Sequence, residues 1–355
     1  MATARGRWLL ALPAVAALVC GVLSGLARLG WAVPPWAAFL AAQHGALMIG
    51  GFFGTLIGLE RAVALARGWP YAAPAASGLA ALVLIGQGGD TVAALLMSFA
   101  AAVMAAACGT VWWRERAAHL ATLAAGALAW LAGSLVWAHS GIVATATPLW
   151  AAFLILTIAG ERLELSRLMP TPRGARRVFA LIAALLCVAA LMAVVTPWGL
   201  RLFALALSAL AVWLWRYDIA RRTVRGSGLT RYMAVCLLSG YAWLMVAGML
   251  GVAGAFAPGA PLRDAALHAL LLGFVFSMVF GHAPVIVPAL TRCRFAWHTG
   301  LYLPLLLLHL TLGVRVWAGL AGQFAWRTWS GAANTLALIV FACLAGYSLY
   351  RARRA

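Results

Sequence analysis

Two histidines set in long apolar runs are the residues of this chain best placed to do chemistry. His44 stands in Gln43-His44-Gly45-Ala46-Leu47-Met48, and His268 in His268-Ala269-Leu270-Leu271-Leu272-Gly273. An ionisable group in a hydrocarbon layer is costly to keep, so each is a functional candidate by default. Neutral imidazole is a good ligand for iron. Two imidazoles at one depth, on helices that start from the same side, are what bis-His ligation of haem b needs. The competing reading is a buried polar contact from each imidazole to a neighbouring helix.

The residues that follow them extend the pattern. Gly50, Gly54 and Gly58 follow His44 at four-residue spacing, and Gly273, Ser277 and Gly281 follow His268. Small residues so spaced let a flat ring or another helix approach closely. Met48, Gly50, Gly54 and Gly273 are therefore read with the two histidines as cofactor-facing, with plain helix packing as the alternative. His282 comes 14 residues after His268. At about 100° per residue it returns to nearly the same face, about 21 Å further along. The other helix offers no histidine at that level, only Glu60. His282 is therefore expected to meet Glu60, Glu161 or His298 near the inner surface. That cluster would be a small metal site, a proton-handling group or a structural ion-pair network. Glu60-Arg61 and Glu161-Arg162 read as interfacial ion pairs whose arginines reach for the headgroups. His309 falls mid-membrane, and His119 and His139 read as interfacial. The six cysteines form no CxxC pair and read as small packing residues.

A chain built for lipid positions these groups. Hydrophobic residues make up 65% of it and charged residues 9%, against about 25% charged in a soluble domain. A spanning helix takes about 20 residues. The 355 residues thus hold about twelve helices and no separate soluble domain. The expected fold is all-α, a polytopic bundle forming one transmembrane domain. The first apolar run follows Arg5 and Arg7 like a signal peptide, but its length reads as a retained helix. All 26 basic residues are arginine. Only Arg28, Arg201, Arg263, Arg315 and Arg327 fall in segments assigned to the outer side. The positive-inside rule then puts both termini on the cytoplasmic side. The same clustering between apolar runs excludes a nucleic-acid-binding face. GTLIGLER at Gly54–Arg61, LTIAGER at Leu156–Arg162 and FSMVFGH at Phe276–His282 stand four helices apart. They point to three four-helix repeats, about 1–113, 114–225 and 226–355, or to chance similarity among apolar helices.

The His-Gly-x-x-Met of His44, Gly45 and Met48 resembles the second helix of haem–copper oxidase subunit I. That family also has twelve helices in three arcs, and the resemblance implies a low-spin haem held by His44 and His268 near the outer side. The family's copper centre has no counterpart here. The sixth helix carries Glu161 and Glu164, and the seventh has no histidine. The His-Ala-x-x-x-Gly of His268, Ala269 and Gly273 is similar to a motif of the NnrS family, twelve-helix bacterial proteins that bind haem and copper. This second resemblance implies redox or nitric-oxide-related physiology, in denitrification or stress. It also implies haem b, copper as a second metal, and an electron-transfer or nitric-oxide-related partner. If there is turnover, the protein is a membrane oxidoreductase. A different class stands beside it: a transporter or metal-handling permease with His268, His282 and Glu60 along its pathway. A Soret band separates the two.

Overall fold

The computed structural model describes residues 4–169 and 172–354. Among them there is no strand, and eleven helices are long and apolar enough to cross a membrane. A shorter apolar helix, Trp69–Ile85, is the third of the twelve expected from sequence. At 1.5 Å per residue it reaches about 25 Å, a little less than the hydrocarbon thickness. Many large apolar side chains face outward, among them Leu181, Val195, Trp198 and Trp113, all at least 66% exposed. Such a surface needs lipid around it.

The chain divides into two compact units, Met1–Glu161 and Arg162–Ala355. Unit 1 begins with α1 (Ala4–Arg28). Its second span is a composite: α2 (Pro35–Phe39), a 3-10 turn (Leu40–Gln43), a π-helix (Ala46–Gly54) and α3 (Thr55–Leu65). Then come α4 (Ala72–Ile85), α5 (Asp90–Glu115), α6 (Ala118–Ser140) and most of α7 (Val143–Leu165). Close contact between α6 and α7 depends on glycine. A Cβ on Gly133 would stand 2.6 Å from Trp150, and one on Gly126 3.2 Å from the Phe153 carbonyl. The space saved is filled by Trp130 stacked on Phe153 at 5.0 Å and Trp137 edge-on to Trp150 at 5.6 Å.

Unit 2 holds the last turn of α7 and α8 (Arg173–Val195), α9 (Pro197–Tyr217), a short α10 (Ala220–Thr223) and α11 (Gly228–Val252). Another composite span follows: α12 (Arg263–His268), a π-helix (Ala269–Phe276) and α13 (Ser277–Thr291). The unit ends with α14 (Tyr302–Leu320) and α15 (Phe324–Arg354). The turn from α8 into α9 combines three local signals. Thr196 caps α9 by accepting from the Gly199 amide at 3.3 Å, Pro197 fills the first helical position, and Gly199 lies where any Cβ would be 2.2 Å from the Ala193 nitrogen.

His119 lies in the first turn of α6, at the end of the span as the sequence expects, and is buried, 3% exposed; a Cβ on Gly160 would meet its carbonyl at 3.1 Å. One sequence expectation changes. The 100° step that puts His282 on the face of His268 fails, because the π-helix between them winds with i→i+5 bonding.

Candidate ligand histidines

Both composite spans break their winding at a candidate histidine. His44 lies between the 3-10 turn and the π-helix of unit 1, and His268 is the last residue before the π-helix of unit 2. Such π segments inside α-helical spans are uncommon and cluster at functional sites.

In unit 1, α1 forms the seat for His44. The His44 Nδ1 lies 2.7 Å from the Gly21 carbonyl oxygen. A Cβ on Gly25 would stand 2.8 Å from His44 Cε1 and 3.0 Å from Nδ1, so the imidazole rests on bare backbone. Met48, one helical turn on, packs on Gly21 in the same way, its sulfur 2.6 Å from where a Cβ would be. Gly21 and Gly25 thus take one side chain each. A carbonyl only accepts, so the ring proton is on Nδ1 and the lone pair is on Nε2. The neighbouring Gln43 donates through Nε2 to the carboxylate of Asp90, at 2.9 and 3.2 Å.

In unit 2, an ion pair holds His268. Its Nδ1 is 2.8 Å from the Asp264 carbonyl oxygen and 3.3 Å from Asp264 Oδ1. That carboxylate receives Arg315 in bidentate fashion, Nε to Oδ2 and Nη2 to Oδ1, both at 2.8 Å. Arg315 is only 5% exposed. Its third donor, Nη1, is 3.3 Å from the side chain of Asn334, which in turn contacts the Thr311 hydroxyl at 2.6 Å. Again Nδ1 carries the proton and Nε2 the lone pair. The arrangement matches that of metal-binding histidines, whose second nitrogen is tied to a carboxylate or a carbonyl. The sequence reading missed Asp264 and Arg315 as partners. Their signal was the four-residue step from Asp264 to His268, which puts both on one helix face.

His309 shows the contrast. Trp243 donates its indole N–H to His309 Nδ1 at 2.9 Å, which forces the ring proton onto Nε2. Nε2 donates to the Ser239 hydroxyl, also at 2.9 Å. Both nitrogens are used in joining α11 to α14, which is a structural role. His282 follows the first pattern, with Nδ1 2.7 Å from the Met278 carbonyl.

The glycine rows meet protein side chains. A Cβ on Gly50 would be 2.3 Å from Met97 of α5, and one on Gly54 2.4 Å from Trp130 of α6. Gly58 meets Pro74 of α4, and Gly273 meets Trp243 of α11 at 2.4 Å. Ser77 and Ser277 cap the neighbouring backbone, donating to the carbonyls of Gly50 at 2.8 Å and Gly273 at 2.6 Å. Glu60 is joined to Arg61 at 3.5 Å, and Arg61 also bonds Glu161. Arg162 departs from its expected role: it is 3% exposed and lies beside Asp218 within unit 2, too enclosed to reach a headgroup. Among the described residues, no three His, Cys, Asp or Glu side chains gather into a group able to hold a metal ion.

A family model described as a domain of unknown function (DUF8744) matches residues 7–349. No curated protein and no solved structure matches the chain.

Proposed function

We propose that this chain, which belongs to the DUF8744 family along nearly its whole length, is a haem-binding protein of the bacterial inner membrane, in which His44 of unit 1 and His268 of unit 2 each have the chemistry of an iron ligand. One observation carries the reading. Each of the two histidines stands at the head of a π-helix and gives its Nδ1 proton to a backbone carbonyl, which leaves Nε2 as the donor atom. That donor chemistry would suit haem iron. When bound, haem b supplies one-electron chemistry. The chain's own residues do the rest: Gly21 and Asp264 fix the tautomers, Gly25 gives the His44 ring its seat, and Arg315 holds Asp264 in place. Copper is not carried into the proposal, because the ligand set it would need is not assembled among the described residues. The physiological setting this reading favours is redox or nitric-oxide-related, as in the NnrS family.

Purified protein is expected to show a Soret band and a pyridine haemochrome spectrum of b type. His44→Ala and His268→Ala should each lose the low-spin spectrum while the melting behaviour of the apoprotein is retained. Full haem content in both variants, or none in wild type produced with ample haem, would sink the assignment and leave the permease reading standing.

The orientation is part of the same proposal and has its own check. Reporter fusions at Gly226 and at the C-terminus should report cytoplasm, and a fusion at Gly141 periplasm. The reversed pattern would overturn the arginine argument.

A further inference from the structure

Away from the two histidines, unit 2 encloses a second polar group. Arg162, Asp218 and Tyr241 are 3%, 1% and 0% exposed. They come from the end of α7, the turn after α9 and the middle of α11. Asp218 uses one carboxylate oxygen, Oδ1, to accept from the Ala220 amide at 2.7 Å. Its other oxygen, Oδ2, is 3.9 Å from Arg162 Nε. That distance is too long for a hydrogen bond and about right for a bridging water. The Tyr241 hydroxyl neighbours both groups. Yet Asp218 Oδ2, Arg162 Nε and Tyr241 Oη make no hydrogen bond of ordinary geometry within the protein. His282 of α13 lies close enough to act on the Asp218 carboxyl.

Three enclosed polar atoms from three elements, close to one another but with no hydrogen bond of ordinary geometry among them, describe the surroundings of a bound molecule. The charges narrow its chemistry. An anion would meet the Asp218 carboxylate, and a metal cation would meet the Arg162 guanidinium. Water donates to Asp218 Oδ2 and accepts from Arg162 Nε and the Tyr241 hydroxyl, and a buried water commonly has about three such partners. We propose that Arg162, Asp218, Tyr241 and His282 form a hydrated proton-holding site in unit 2. The proton has two homes. On Asp218 the carboxyl is neutral and His282 is neutral. On His282 an N–H bond forms at Nε2, the Asp218 O–H bond breaks, and the bound water relays the proton while Arg162 steadies the new carboxylate. Burial pushes the Asp218 carboxyl up from its ordinary range, against the pull of Arg162, the Ala220 amide, Tyr241 and His282. The site requires no cofactor, and its test is independent of haem.

Infrared difference spectra between acid and alkaline buffer read this directly. Wild-type protein should show the carbonyl stretch of a protonated carboxylic acid, shifted on exchange into D2O, with a midpoint above the usual aspartate value of about 4. Asp218→Asn should lose the band, Tyr241→Phe should shift its frequency by removing one partner of the bound water, and His282→Gln should move its midpoint. A wild-type spectrum with no such band, or one that Asp218→Asn leaves unchanged, would overturn the proposal. If Asp218→Asn does not fold, unchanged spectra in both Tyr241→Phe and His282→Gln would overturn it equally.

Discussion

Asp264→Ala will destabilise the protein by about 3–5 kcal/mol, the cost of leaving a buried arginine without its partner. Arg315 is almost fully enclosed and gives Asp264 two hydrogen bonds at 2.8 Å. With Asp264 gone, the guanidinium keeps its charge and loses both bonds, keeping only its contact with Asn334. Removing both partners is different. Asp264→Leu with Arg315→Met deletes the charge together with its counter-charge, and replacing a buried pair by apolar residues is often neutral or stabilising. Thermal unfolding in detergent should therefore rank wild type and the double variant close together, with either single variant far below. Asp264→Asn separates stability from ligand positioning. The asparagine still accepts from Arg315, and its backbone carbonyl still faces His268 Nδ1. Loss of the carboxylate beside that nitrogen weakens the imidazole as a donor, and metal affinity typically falls 10–100-fold when such a partner is removed. A double variant as unstable as the single ones would show that the loss comes from the pair's own contribution and not from an orphaned charge. Unchanged haem affinity in Asp264→Asn would show that Asp264 does not tune His268.

Much of this was legible in the sequence, and the failures share a cause. The apolar runs and the arginines between them located the helices, because the thickness of lipid leaves little choice of length. The histidines stood out because ionisable residues are rare in such runs. The glycine row did not read correctly as one face. Gly50 and Gly54 lie in a π-helix and Gly58 in the α-helix that follows, so the row spans two windings. The structure accordingly turns Gly50, Gly54 and Gly58 toward three different helices. Nothing in apolar periodicity distinguishes π winding from α, since both present hydrophobic residues on every side of a buried span. In the sequence Arg315 reads as an outer-side topological charge and Arg162 as an inner-side one. Both are internal, because each has an acidic partner that sequence distance hides: Asp264 is 51 residues from Arg315, and Asp218 is remote from Arg162. A usable signal did exist. The chain has only seven acidic residues among 355, so each one in or beside an apolar run deserved a search for the arginine that pairs with it.

Gly25→Val will remove haem as completely as His44→Ala, although Gly25 donates nothing to iron. The argument is one of space. The His44 ring lies flat against α1, and even a single Cβ on Gly25 would stand 2.8 Å from Cε1, 3.0 Å from Nδ1 and 3.7 Å from Nε2. Contacts under 3.0 Å are not tolerated, so the ring must move or the helices must part. The ring is the softer element, but it is tethered through Nδ1 to the Gly21 carbonyl at 2.7 Å. A shift large enough to clear a methyl breaks that bond and releases the tautomer that puts the lone pair on Nε2. Gly25→Ala is accordingly expected to lower haem affinity by about 10–100-fold, the usual effect of disturbing a ligand's support. Valine adds two further methyls that no rotation of the ring can avoid. Ser24→Ala is the control on the same turn. Ser24 also donates to the Gly21 carbonyl, at 2.8 Å, but does not touch the imidazole seat, so its haem content should stay near wild type. Titrating haem into the apoproteins of wild type and the four variants gives the affinities, and circular dichroism checks that the helices persist. If Gly25→Val binds haem as tightly as wild type, His44 is not the ligand, since no ring in that position could survive the substitution.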